Sequence, residues 1–205
     1  MDSPRKLYEA AQRYYHPPEV KSPLPVWRAE TWERWAAAEG TCKPESEAVW
    51  LTDELVKEAA LWTVNNVGIA WVEFPEFGAR VAKLAGKKYY GAGEQGSEIS
   101  FCDGRTSIVA SVKAHGTGKN LQMFSANLFT SPPTNGVDWE QTIGRTHRQG
   151  QMSDTVTVDV WQHTQVFRDS VDKGSDLALF IQSQFGTEQK LVSSAQWIGF
   201  KPKEE

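Results

Sequence analysis

Two arginines, Arg145 and Arg148, stand three residues apart in WEQTIGRTHRQGQ (139–151), with His147 beside the second and Gln141 one helical turn before the first. A guanidinium is planar and permanently charged. Such a pair therefore suits phosphate oxygens, above all those on which charge builds during phosphoryl transfer. If the segment is helical, residues three apart project from one face. Taken alone, the same pair is better described as part of an exposed helix that carries surface ion pairs. Upstream lies AHGTGKNLQ (114–122), whose GTGK has the look of a nucleotide-gripping loop. A P-loop needs Gly-x-x-x-x-Gly-Lys-Ser/Thr. Counting back from Gly118-Lys119, its first glycine falls on Lys113, and its magnesium-binding hydroxyl falls on Asn120, so both ends fail. AVWLTDE (48–54) offers an apolar run ending in Asp-Glu, but Thr52 interrupts it and a helix start accounts for the acids. His115 and His147 have no third ligand at metal spacing.

In order and wording, SVKAHGTGKNLQ (111–122) and WEQTIGRTHRQGQ resemble motifs V and VI of superfamily 2 helicases, the Swi/Snf-type branch in particular. The first match rests on Ser111, Ala114, Gly116, Gly118, Asn120 and Leu121. The second rests on Gln141, Gly144, Arg145, His147, Arg148, Gly150 and Gln151. His115, where the family usually has glycine, and Lys119, where it usually has an apolar residue, depart from the pattern. GIAWVEFPEFGARVAKL (68–84) looks like motif IV, so the resemblance spans residues 65 to 186. The wording around the motifs is closest to helicases of bacteriophages and mobile elements.

The resemblance implies the C-terminal, second RecA-like lobe of an ATP-dependent DNA helicase or translocase. In that class ATP and Mg2+ lie between two lobes and are bound mainly by the first. Arg148 is then the arginine finger and Arg145 a second phosphate contact. Gln141, Gly118 and Asn120 contact nucleotide, and Ser111, Lys113 and Thr117 contact the nucleic-acid backbone, with duplex DNA the expected track. Because the Walker A and B motifs are missing, the resemblance implies a first lobe on another chain and little ATP hydrolysis by this chain alone. The alternative is a non-catalytic module, derived from such a lobe, that docks on DNA or on a helicase.

Those residues need a scaffold that holds strand ends and helix starts in register. GIAWVEF (68–74), KKYYG (87–91), TSIVASV (106–112), ANLFTS (126–131) and TVTVDVWQ (155–162) read as five short strands. PEFGARVAKLAG (75–86), DWEQTIGRTHRQG (138–150) and FRDSVDKGSDLALFIQSQFG (167–186) read as helices between and after them. Alternation of this kind predicts an α/β fold, a RecA-like parallel sheet covered on both faces. Residues 1–64 read as a mainly helical arm. His16-Pro-Pro18 and Pro23-Leu-Pro25 are its stiff connections, and helices are expected at 27–39 and 51–64. Trp32 and Trp35 suit the packed face of an amphipathic helix better than a base-stacking platform. Residues 187–205 read as a tail.

Composition narrows the class further. Hydrophobic residues make up 40% and charged ones 23%, which is globular. A net charge of −4 argues against a surface that wraps nucleic acid on all sides, yet leaves room for a local basic groove. Cys42 and Cys102 form no metal or redox spacing, which fits a reducing, cytoplasmic setting, the host cytoplasm if a phage encodes the chain. Neither a signal peptide nor a membrane span is expected.

Overall fold

The computed structural model describes residues 29–39, 41 and 47–193. Two compact units divide the chain, Met1–Val49 and Trp50–Glu205. In the first, helix α1 spans Ala29–Glu39, with Trp32 and Trp35 half-buried. The proline-rich connections, Cys42 and residues 194–205 lie outside the described residues.

In the second unit all five expected strands form: β1 (Gly68–Val72), β2 (Tyr89–Tyr90), β3 (Ile108–Ser111), β4 (Ala126–Phe129) and β5 (Thr157–Val160). They make one sheet in the order β2-β3-β1-β4-β5, and every pairing is parallel. The most interior strands are the most apolar: β1, GIAWV, is buried at all five positions, whereas the edge strand β5 alternates between exposed and half-buried. That contrast is what burial on two faces, as against one, requires.

Each strand deals its side chains alternately to two cores. Ala70, Val72, Val109 and Leu128 face α2 (Glu54–Asn65) and α3 (Pro75–Ala85), packing with Val56, Ala59, Ala60 and Val81. Ile69, Trp71, Ala110 and Phe129 face α6 (Gly136–Ile143) and α7 (Gln165–Phe185), packing with Trp139, Ile143, Val171 and Ala178. At the centre of the second core Trp71, Phe129 and Trp139 form a continuous aromatic stack, with centroids 6.4 and 4.6 Å apart. The Trp139 indole N–H donates to the Pro133 carbonyl at 2.7 Å. Gly174 lets α7 come this close, because a Cβ there would lie 2.7 Å from the same indole nitrogen. Local chemistry sets the helix ends. Pro75 opens α3, and Gly86 closes it in the left-handed region. Asn135 caps α6 and Thr164 caps α7 through their side-chain oxygens. At α2, Asp53 stands before the first turn and makes no cap bond; its carboxylate instead accepts from Arg80 at 2.6 Å.

Three features depart from the sequence reading. The helix expected over 138–150 ends at Ile143, and residues 144–150 continue as turns. Gly144 follows directly, and a helical continuation would carry Arg145 away from the loop carbonyls that it binds, described below. Arg145 and Arg148 therefore do not share a helix face. The boundary between compact units falls at Val49/Trp50, where the sequence suggested 64/65, because α2 packs beneath β1. Finally, part of the expected tail is built in. Residues 190–193 form α8, Leu191 is 2% exposed in the second core, and Glu140 accepts from both the backbone N–H and the ammonium of Lys190. Short elements the sequence did not reveal are α4 (Glu94–Ser97), a 3-10 turn at Glu98–Phe101, and α5 (Val112–His115).

Truncating a buried leucine removes transfer energy and leaves a cavity. Leu191→Ala is expected to lower the unfolding free energy by about 2–4 kcal/mol in a urea titration, as for a core residue and not a tail residue.

Candidate functional site

The chain leaves β3 through α5, crosses the α6 side of the sheet as loop 116–125, and enters β4. Leu121 and Phe124 anchor this loop in the second core, both fully buried. Between His115 and Leu121 the chain makes a tight excursion. Gly116 has no room for a side chain, since a Cβ would sit 2.6 Å from the Val112 carbonyl and 3.0 Å from the Thr142 hydroxyl. Gly118 has φ +73° and open space around it, so it forms the exposed tip with Thr117 and Asn120.

Arg145 ties this excursion to the turn after α6. Its Nε donates to the Gly116 carbonyl at 3.1 Å and to the Gln141 carbonyl at 3.0 Å, and its Nη1 donates to the Lys119 carbonyl at 3.1 Å. The bond is returned by the backbone, as Leu121 N–H donates to the Arg145 carbonyl at 3.0 Å. Burial lowers the Arg145 pKa from its usual value, and the nearby Arg148 charge adds to the effect. The group stays charged, because an arginine in a protein does not lose its proton. Arg148 differs in kind. Its carbonyl accepts from the Gln151 N–H at 3.0 Å, but its guanidinium is exposed and, among the described residues, makes no hydrogen bond or ion pair.

A second set of bonds fixes the turn from below. Asn127, fully buried in β4, accepts from the Trp71 indole at 3.1 Å and donates to the Thr146 hydroxyl at 3.0 Å and the Thr157 carbonyl at 3.2 Å. Gln151 donates from its amide to the carbonyls of Phe124 and Thr146, at 2.9 and 3.0 Å. The segment 144–151 is thus held on both sides of Arg148 while that side chain itself stays in solvent. Neither Asn127 nor Thr146 was foreseen as part of the site. The available signal was an amide inside the apolar run ANLF, where a buried polar group must find partners.

The remaining expected contacts are dispersed. Ser111 ends β3, buried and in register with Val72, and by strand alternation its side chain belongs to the α2/α3 face with Val109. Lys113 is exposed and paired with Glu73 at 3.4 Å. Thr117, Gly118 and Asn120 are exposed in the loop that follows α5. Gln141 serves Arg145 through its backbone carbonyl. The structure therefore gathers Gly118, Asn120, Gln141, Arg145 and Arg148 around one loop and leaves Ser111 and Lys113 at the strand end. His147 is exposed, whereas His115 is 4% exposed and bonded through Nε2 to the Gly91 carbonyl at 2.9 Å. Among the described residues no three His, Cys, Asp or Glu side chains gather as a metal site would require, and no helix is long and apolar enough to cross a membrane.

No protein-family model matches the chain, and no curated protein matches it. Among solved structures, the crystal structure of the C-terminal part of the Fun30 ATPase domain is similar in fold, at 12% identity and a TM-score of 0.48. The match covers 69% of this chain and 51% of that one, so the chain spans about half the length of that structure. At this identity the likeness concerns fold alone.

The two arginines should separate cleanly by stability. Arg145→Lys loses a fork that a single ammonium cannot reproduce, and is expected to cost about 1–3 kcal/mol in chemical denaturation. Arg148→Lys, with no partner to lose, should stay within about 0.5 kcal/mol of the parent.

Proposed function

We propose that the Trp50–Glu205 unit is the second lobe of an ATP-dependent DNA helicase or translocase. In this reading it supplies Arg148 to an ATP site whose phosphate-binding lobe lies outside these 205 residues. One observation supports it above the others: Arg148 carries a solvent-facing guanidinium, unpaired among the described residues, on a segment braced on both sides. A cation with no internal partner, on a fixed backbone, is arranged to meet an anion from elsewhere, and an approaching γ-phosphate is such an anion. The ordered motifs carry the identification as a helicase lobe. ATP and Mg2+ would be held chiefly by the other lobe, and Gly118 and Asn120 would meet the nucleotide from this side. Thr117 and Lys113 would approach the DNA backbone, Lys113 exchanging its pairing with Glu73 for a phosphate.

The bonding of Arg145 modifies the expected division of labour. With Nε and one Nη1 hydrogen committed to carbonyls, Arg145 chiefly shapes the loop and offers a phosphate its second Nη1 hydrogen and those on Nη2. The same observation favours a second reading, a docking module whose motif VI has become structural.

ATPase measurement on the chain combined with a candidate first lobe, with and without duplex DNA, separates the two. The chain alone should hydrolyse ATP only feebly. Arg148→Ala should reduce the combined rate by about a thousandfold or more while leaving assembly of the pair unchanged. Undiminished hydrolysis by Arg148→Ala would overturn the enzyme reading, and DNA or helicase binding without any hydrolysis would establish the module.

A further inference from the structure

His115 occupies the position at which the loop excursion begins. It is 4% exposed, and its two ring nitrogens have different fates. Nε2 lies 2.9 Å from the Gly91 carbonyl, in the loop after β2. A carbonyl only accepts, so Nε2 carries the proton and Nδ1 is bare in the neutral ring. Nδ1 is enclosed and has no hydrogen-bond partner. The enclosure is tight, because a Cβ on Gly96 of α4 would come within 3.0 Å of Nε2 and 2.1 Å of the Gly91 carbonyl. The ring therefore bolts the start of the loop to the β2–α4 connection; both forms can make that bond, but the enclosed, unpartnered Nδ1 favours the neutral one. Among the described residues, the charge that acts on it is the Lys119 ammonium, from the loop itself. The Gly91 carbonyl and the Gly96 backbone face it from the other two elements and bring no charge.

We propose that His115 is a proton-operated latch on loop 116–121. A proton arriving from solvent at Nδ1 creates an enclosed N–H without an acceptor, and a cation that the Lys119 charge disfavours. Both are relieved only if the ring leaves its pocket. Departure of the ring frees the residue next to Gly116, whose carbonyl is one of the anchors of Arg145, so the latch controls the loop tip and Lys119 together. The sign follows from linkage. Burial, the largest influence, holds the folded ring below the usual histidine range, and Lys119 adds to this, although the Gly91 bond opposes it. The open state takes up a proton at the ordinary histidine pKa of about 6.5, so the closed state is fully favoured above that pH and loses its advantage as pH falls below it. Its regulatory meaning rests on the proposed helicase-lobe reading, since it would make nucleotide and DNA engagement by this lobe fail on mild acidification.

Amide hydrogen exchange on the full chain, without nucleotide or DNA, tests the latch independently of that reading. Between about pH 7.5 and 5.5 the protection factor of the Leu121 amide, which donates to the Arg145 carbonyl, should fall by about tenfold, while that of Ala70 in β1 is unchanged. His115→Gln, which can still donate to Gly91 and cannot take a proton, should hold its Leu121 protection within about threefold over the same range. The proton resonances of the His115 ring in the parent chain should titrate below the ordinary value. If His115→Gln does not fold, the ring titration and the parent's exchange decide. Flat Leu121 protection in the parent, an equal fall in the variant, or a ring that titrates at or above about 6.5 overturns the latch.

Discussion

The guanidinium of Arg145 is the joint on which the site depends. The loop 116–125 pairs its own backbone from Phe124 N–H to the Leu121 carbonyl, and its other enclosed carbonyls must find donors elsewhere. Gly116 and Lys119 find theirs in one side chain, whose fork also reaches Gln141 at the end of α6. Charge-assisted bonds of this kind are worth about 1.5–3 kcal/mol each, whereas ordering a residue's backbone costs about 1–2 kcal/mol. Arg145 alone therefore cannot order the whole excursion. Leu121 and Phe124 supply the rest by burying their side chains against the sheet. The polar joint selects the conformation, and apolar burial makes it affordable.

Beneath that joint the sheet core is less greasy than its sequence suggests. A fully buried asparagine is costly unless each of its groups is paired. Asn127 meets the condition by linking Trp71 of β1, Thr146 of the turn and Thr157 at the start of β5. Its apolar neighbours could tolerate small shifts, but this amide has one set of partners. It thereby pins the turn after α6 to two strands, and with Gln151 it fixes the backbone on either side of Arg148. The result is a rigid mount for an unpaired cation.

Much of the scaffold was legible because burial on two faces leaves a strong mark. GIAWV, SIVAS and ANLF are short apolar runs, and each became a strand at or within a residue or two of its expected limits. Pro75 and Gly186 marked helix ends in the sequence, and both stand at helix ends in the structure. The turn at 144–150 was not legible. Gly144 and Gly150 weaken a helix there without dictating where it ends, and the stop at Ile143 also depends on loop carbonyls such as that of Lys119, 26 residues before Arg145. The docking of α8 was hidden for a similar reason: KLVS is too short to show periodicity, and its partner Glu140 lies 50 residues away in sequence.

What the sequence determined by itself was the identity and order of the chemical groups: the five strands, the two motif segments, and the pair of arginines with their histidine and glutamine neighbours. Local propensity and apolar periodicity suffice for that, because they act between residues close in the chain. Which arginine is bonded inside the fold and which is left in solvent was decided only in three dimensions, as was the enclosure of His115. A hydrogen-bond donor is committed or free according to the acceptors that distant segments bring within about 3 Å, and no pattern along the chain encodes that distance.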